Sequence, residues 1–192
     1  MSQVRAASIH DDVEQILLDG DTIARRVAEL GAQLAADYAG RDTVLVSVLK
    51  GALVFLADLM RAMEMPTSID LMEVSSYGAS TETSGQVRIL KDLSKPISGR
   101  HVIVVEDIID TGLTLNYLLR YLADKGPASV RIVCLLDKPA RRLADIDIAY
   151  RGFTIPDRFV VGYGLDFDER YRNLPYIGVL KPSVYGGPPP EG

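Results

Sequence analysis

The chain has little sulfur or imidazole with which to do chemistry: one cysteine and two histidines in 192 residues. A lone Cys134 cannot close an intrachain disulfide, and its place inside the apolar run Val130–Leu136 reads as a buried core thiol. His10 lies in the lead-in and His101 at the start of an apolar run, with no Cys/His spacing that suggests zinc. Long hydrophobic runs are also missing; none approaches the about 20 residues of a membrane helix. The opening MSQVRAASIHDD is polar and acidic, unlike a signal peptide, so the expected location is the cytoplasm. Positive charge is in the minority, with 21 Lys and Arg against 26 Asp and Glu, a net charge of −5 and a pI of about 5.1. That balance argues against a nucleic-acid or anionic-membrane binder, which is normally basic.

What remains is the mixture of an ordinary globular domain, 47% hydrophobic and 24% charged. The length suits one domain spanning 1–192, with a core over about 20–150. Residues 1–20 read as a lead-in with an apolar patch at Val13, Ile16, Leu17 and Leu18. Asp21 can cap a helix in which Ile23, Val27, Leu30, Leu34 and Tyr38 recur on one face, with Gly40 at its exit. Thr43–Leu49, His101–Val105 and Ser129–Leu136 are apolar and β-branched, the pattern of strands buried on both faces. Ala52–Met63 and Leu113–Ala123 have helical spacing, 68–76 and Val87–Leu90 read as further strands, and 77–86 as a polar mobile loop. The end from 183 to 192, which includes GGPPPEG, reads as a disordered tail. Alternating apolar strands and amphipathic helices predict an α/β fold, an open and mostly parallel sheet flanked by helices. Ligands on such sheets lie beyond the carboxyl ends of the strands, here after Leu49, Val105 and Leu136.

The most informative stretch is 101–122, HVIVVEDIIDTGLTLNYLLRYL. An apolar strand delivers Glu106 and Asp107, Asp110 follows, and Thr111-Gly112-Leu113-Thr114 opens a helix. A helix N-terminus offers unpaired N–H groups and positive dipole to an anion. Gly112 lets the backbone approach a phosphate, and Thr111 and Thr114 add hydroxyl donors. No lysine stands in this loop, so it is not a Walker-type P-loop but suits a phosphate monoester. The paired carboxylates can accept from a ribose diol and help hold a hydrated metal. Ile108-Ile109-Asp110-Thr111-Gly112 also matches the aspartic-protease signature superficially, but that signature belongs on all-β chains and a helix follows here.

Residues 105–115, VEDIIDTGLTL, resemble the phosphoribosyl pyrophosphate motif of type I phosphoribosyltransferases, and the EDIIDTG core resembles the hypoxanthine(-guanine) branch. With three further segments the likeness spans roughly residues 10–181. Leu49-Lys50-Gly51 resembles the pyrophosphate loop, whose Leu–Lys peptide is cis in many members. Ser76 and Tyr77, within Ser75-Ser76-Tyr77-Gly78 and the polar stretch after it, resemble the mobile lid. Lys138, FVVGYGLD at 159–166 and Arg172 resemble a base-binding hood, expected from about 1–20 and 150–182. Leu113 stands where some relatives carry lysine.

The resemblance implies a Mg²⁺-dependent transfer between phosphoribosyl pyrophosphate and a 6-oxopurine. It implies Asp110 as general base at purine N7, with Lys50 and Arg172 as fixed positive charge at the pyrophosphate. Thr111, Gly112, Leu113 and Thr114 would hold the 5′-phosphate, and Glu106 and Asp107 the ribose hydroxyls and a metal. Asp166 would hold a second Mg²⁺. Lys138, Phe159 and the backbone of Val160 would meet the base, while Leu49, Gly51, Ser76 and Tyr77 would line the substrate. A homodimer or homotetramer is common in the family. The weighed alternative is a nucleotide-sensing regulator on the same fold that binds nucleic acid, which would need a basic face.

Overall fold

The computed structural model describes residues 8–77 and 86–186. A 3-10 turn at Ile9–Asp12 leads into β1 (Val13–Leu18), so the expected apolar lead-in is a strand. Helix α1 (Gly20–Asp37) follows, capped by Asp19, whose side chain accepts from the Thr22 amide at 2.7 Å. The expected cap, Asp21, sits instead inside the first turn, where its charge suits the helix dipole. Strand β2 (Thr43–Val48), helix α2 (Leu53–Ala62), and strands β3 (Ser68–Tyr77) and β4 (Gln86–Lys91) come next. Between the last two, 78–85 lie outside the described residues, and with them most of the expected mobile loop.

Strand β5 runs over His101–Ile109, past Glu106 and Asp107, because its last residues still pair with Cys134–Asp137. Helix α3 (Leu113–Ala123), β6 (Ser129–Asp137), β7 (Tyr150–Thr154), β8 (Val160–Val161), β9 (Ile177–Leu180) and α4 (Pro182–Tyr185) complete the chain. Helix α4 stands at the start of what reads from sequence as an unstructured tail; 187–192 lie outside the described residues.

The main sheet has the order β4-β3-β2-β5-β6-β7 and is parallel except for β3–β4. Its central strands β2, β5 and β6 are largely apolar, as suits strands covered on both faces. Val44, Val46, Val102, Val104, Ile132 and Cys134 face α3, and Leu45, Ile103, Val105, Val133 and Leu135 face α1 and α2. Cys134 is fully buried, and burial first, then Asp137, pushes its thiol up to about 12, so it is an inert core group. Both histidines are tied into the fold, His10 Nδ1 to the Tyr176 hydroxyl and His101 Nδ1 to Ser129 Oγ.

A second sheet, β1-β9-β8, is antiparallel and joins the start of the chain to its end. It packs over Tyr171, Leu174 and Tyr176, and Tyr171 donates to Asp12 at 2.7 Å. Among the described residues no helix is long and apolar enough to cross a membrane.

Candidate active site

Strand order reverses between β2 and β5: the chain leaves β2 towards β3 but leaves β5 towards β6 on the other side. The loops after these two strands therefore part and leave a crevice at their carboxyl ends. The loop after β2 turns through a cis Leu49–Lys50 peptide, as the resemblance implies. The loop after β5 carries Asp110 and Thr111 to Gly112, which takes φ +78 and starts α3. A side chain is disfavoured there by the left-handed backbone, and a Cβ would also displace the tip of Ile146, whose Cδ1 it would meet at 2.5 Å. A pocket of about 200 Å³ opens here, lined by Val48, Glu106, Ile108, Asp110, Thr111, Gly112 and Thr114 among others. Leu113 points outward, 54% exposed.

Residues 138–144 brace this loop from behind. The amides of Leu143 and Ala144 donate to the Thr111 carbonyl, and the Lys138 amide to the Ile109 carbonyl. Arg142 donates to the carbonyls of Asp110 and Ile109 and to the carboxylate of Asp137. Arg151 meets the other oxygen of Asp137 at 2.8 Å. Asp110 Oδ2 lies 3.2 Å from Arg141, and Oδ1 is buried with no hydrogen-bond partner among the described residues. Asp137, Arg141 and Arg142 were not singled out from the sequence. Their signal is a carboxylate and an arginine pair flanking Lys138 at the end of the third apolar strand.

On the other side, residues 163–171 form a tight, strained segment. Tyr163, Asp168, Glu169 and Tyr171 all have positive φ, which side chains resist. The amides of Tyr163 and Gly164 are held by the carbonyls of Leu174 and Arg172, and Asp166 Oδ2 accepts the Glu169 amide. This frame brings Arg172 to Asp166 at 2.9 Å and Glu169 to Lys50 at 3.1 Å. Glu169, which sequence reasoning passed over, thus touches Lys50 and reaches Arg172 at 3.5 Å.

Gly51 is where the two sides meet Asp107. A Cβ on Gly51 would lie 1.8 Å from Asp107 Oδ2. Burial pushes Asp107 up to about 6; the Ile108 amide and the charge of Arg172 pull it back, and Asp166 raises it further. Glu106 is pushed well above the carboxylate range, by burial first and by Asp107 second. Such a pair of crowded, poorly solvated carboxyls is a place for a cation or for hydroxyl donors. Among the described residues no three His, Cys, Asp or Glu side chains converge as a metal cluster, so any ion here would draw ligands from substrate and water.

A pH dependence of stability follows. Asp107 binds its proton more tightly in the folded chain (about 6) than an ordinary aspartate does (3.8). Its contribution to stability is therefore present in full below about pH 4 and is lost as pH rises through about 6. Asp107→Asn should raise the thermal midpoint in metal-free buffer at about pH 8, by roughly 2–3 kcal/mol of stability, and the gain should close towards pH 4. Calorimetry at both values decides it; an equal gain at both would refute the account.

The remaining expected residues take the following places. Lys138 is 5% exposed and donates from Nζ to the Arg158 carbonyl at 2.9 Å. Phe159 is 39% exposed, and Val160, buried, pairs with Val179. Ser76 and Tyr77 end β3, paired with Val87 and Gln86.

Residues 13–168 match the family model of the phosphoribosyl transferase domain. The chain is 53% identical over 180 residues to a hypoxanthine-guanine phosphoribosyltransferase of Mycobacterium avium, covering 91% of this chain and 89% of that protein. It is 52% identical over 174 residues to the protein of the same name in Bacillus subtilis, covering 91% and 97%. The crystal structure of a hypoxanthine phosphoribosyltransferase from Staphylococcus aureus superposes with a TM-score of 0.90 at 49% identity, over 94% of this chain and 99% of that one.

Proposed function

Since the chain belongs to the phosphoribosyltransferase family, we propose that it is a Mg²⁺-dependent purine-salvage transferase acting on 6-oxopurines, hypoxanthine and also guanine. Its products are IMP or GMP and pyrophosphate. The observation that carries this reading is the pocket of about 200 Å³ between the end of β5 and the start of α3, with carboxylates on one wall and a glycine-led helix N-terminus on the other.

In this reading Thr111, Gly112, Leu113 and Thr114 anchor the 5′-phosphate, far from the reacting bond, and so position C1 of the ribose. Glu106 and Asp107 accept from the ribose hydroxyls. Purine N9 bonds to C1 with inversion, while the C1–O bond breaks and its electron pair leaves with pyrophosphate. Lys50 and Arg172 supply fixed positive charge to that leaving group, released from Glu169 and Asp166. Asp110 receives the N7 proton. Lys138 donates to the 6-oxo group, Phe159 stacks on the purine, and the Val160 backbone meets the base edge. Leu49, Gly51, Ser76 and Tyr77 line the substrate. Carboxylates at Glu106, Asp107 and Asp166 suit Mg²⁺, which takes oxygen ligands and shares them with substrate phosphates and water. Bound there, the ion would neutralise charge on the pyrophosphate.

The small β1-β9-β8 sheet serves as the hood over the base. A homodimer or homotetramer belongs to the proposal, by likeness to the family. A cytoplasmic location completes it.

The test is ultraviolet-monitored nucleotide formation from phosphoribosyl pyrophosphate and hypoxanthine or guanine, with and without Mg²⁺. Folded protein that turns over neither base would overturn the reading. In the same assay Gly51→Ala should lower kcat/KM by about 10²-fold, because a Cβ must push Asp107 or the loop by the order of an ångström. Parent-like kinetics would mean that the Gly51–Asp107 contact is incidental.

A further inference from the structure

Phe159 immediately precedes β8, and its carbonyl accepts from the Leu180 amide at the end of β9 at 2.9 Å. Just beyond Leu180 the chain turns into α4, opened by Pro182 and closed by Gly186 in a left-handed conformation. The Lys181 amide donates to the Asp12 carbonyl, which ties this turn to the N-terminal segment. The turn carries Tyr185 back to Phe159, and the two rings stack with centroids 4.8 Å apart and planes 21° apart. Phe167 meets both edge-on, at 5.7 Å and 87° to Phe159 and at 6.4 Å and 69° to Tyr185. Phe159 nevertheless remains 39% exposed. A ring stacked on one face, edged by another ring and still exposed to that extent keeps surface on which a base can lie.

We propose that Tyr185 is a positioning residue for the purine. It covers the back of Phe159 and fixes the plane of that ring, so that purine, Phe159 and Tyr185 form one continuous stack. The proposal rests on the reading of Phe159 as the ring that meets the base. Its physical basis is that a flat ring with a free side chain must be ordered when the base arrives, whereas a ring already stacked and edged is not. The contribution is confined to the base, because Tyr185 reaches the site only through the ring of Phe159 in this proposal.

The experiment compares kcat and both KM values for the parent, Tyr185→Ala, Tyr185→Phe and Phe159→Ala. Tyr185→Ala is expected to raise the KM for hypoxanthine about three- to tenfold, the worth of one aromatic pair. The KM for phosphoribosyl pyrophosphate and kcat should change less than about twofold. Tyr185→Phe restores the hypoxanthine KM, because the stack needs the ring. In the Phe159→Ala background, removing Tyr185 adds nothing further. An unchanged hypoxanthine KM in Tyr185→Ala, with the Phe159→Ala KM raised, overturns the proposal while leaving the Phe159 reading intact; this includes the case in which only the thermal midpoint falls. A lowered KM overturns it too, since Tyr185 would then occupy the purine's own place. An unchanged KM in Phe159→Ala removes the stacking reading and the proposal with it. Should the alanine variant fail to fold, Tyr185→Leu fills the volume without a flat face and reads the same split between the two KM values.

Discussion

Adenine should be used about 10⁴–10⁵-fold less efficiently than hypoxanthine in the same assay. The reason is Lys138. Its ammonium has three donors and no acceptor. It is 5% exposed, with the Arg158 carbonyl at 2.9 Å and Asp157 Oδ1 at 3.5 Å, so water has little room to stand in for a missing partner. A 6-oxo group accepts from it, whereas a 6-amino group presents hydrogen to hydrogen. Buried donors left unpaired are what give hydrogen-bonding sites their large discrimination. The check is kcat/KM for both bases at saturating phosphoribosyl pyrophosphate. Comparable values would take Lys138 out of base recognition.

Asp110→Asn should depress kcat by about 10²–10⁴, with the KM for phosphoribosyl pyrophosphate little changed. Asp110 lines the pocket; its Oδ2 faces Arg141 at 3.2 Å, while Oδ1 is buried with no partner among the described residues. An acceptor held in that way is suited to an N–H supplied by substrate. Asparagine keeps the size and can still accept a hydrogen bond, but it cannot take the proton away. The N7 proton becomes acidic as N9 bonds to C1, so the variant separates the two possible duties. A large fall in single-turnover rate assigns proton removal to Asp110; a near-normal rate leaves it only the task of orienting the base.

How much could be read from the sequence depended on how local the cause was. Helix α3 begins and ends at Leu113 and Ala123 as its spacing implies, and the three apolar runs are the central strands β2, β5 and β6. Each of these owes its character to its own residues. Strand β1 does not: Val13–Leu18 alternates poorly and is bulged, and it is a strand because Ile177–Leu180 lies beside it from the far end of the chain. The extension of β5 through Glu106 to Ile109 has the same origin in pairing with β6. Asp19 rather than Asp21 caps α1 because the chain leaves β1 at Leu18, a boundary invisible until β1 itself is known. At the site, the motif residues stood out as a run. Arg141, Arg142, Glu169 and Tyr185 did not, since each matters only through a partner elsewhere in the chain: Asp110, Asp137, Lys50 and Phe159.

Asp137 has a role larger than its own two ion pairs. It is 4% exposed, sits next to Lys138, and holds Arg142 and Arg151, while Arg142 also grips the carbonyls of Ile109 and Asp110. A single carboxylate thus ties the loop that would take the phosphate to the lysine that would read the base. The ties are complete without substrate, so the freedom of these side chains is lost when the chain folds rather than when the ligands arrive. In that sense the spacing between the phosphate end and the base end of the site is a property of the folded chain, and a ligand that spans both ends meets a ruler already set to its length.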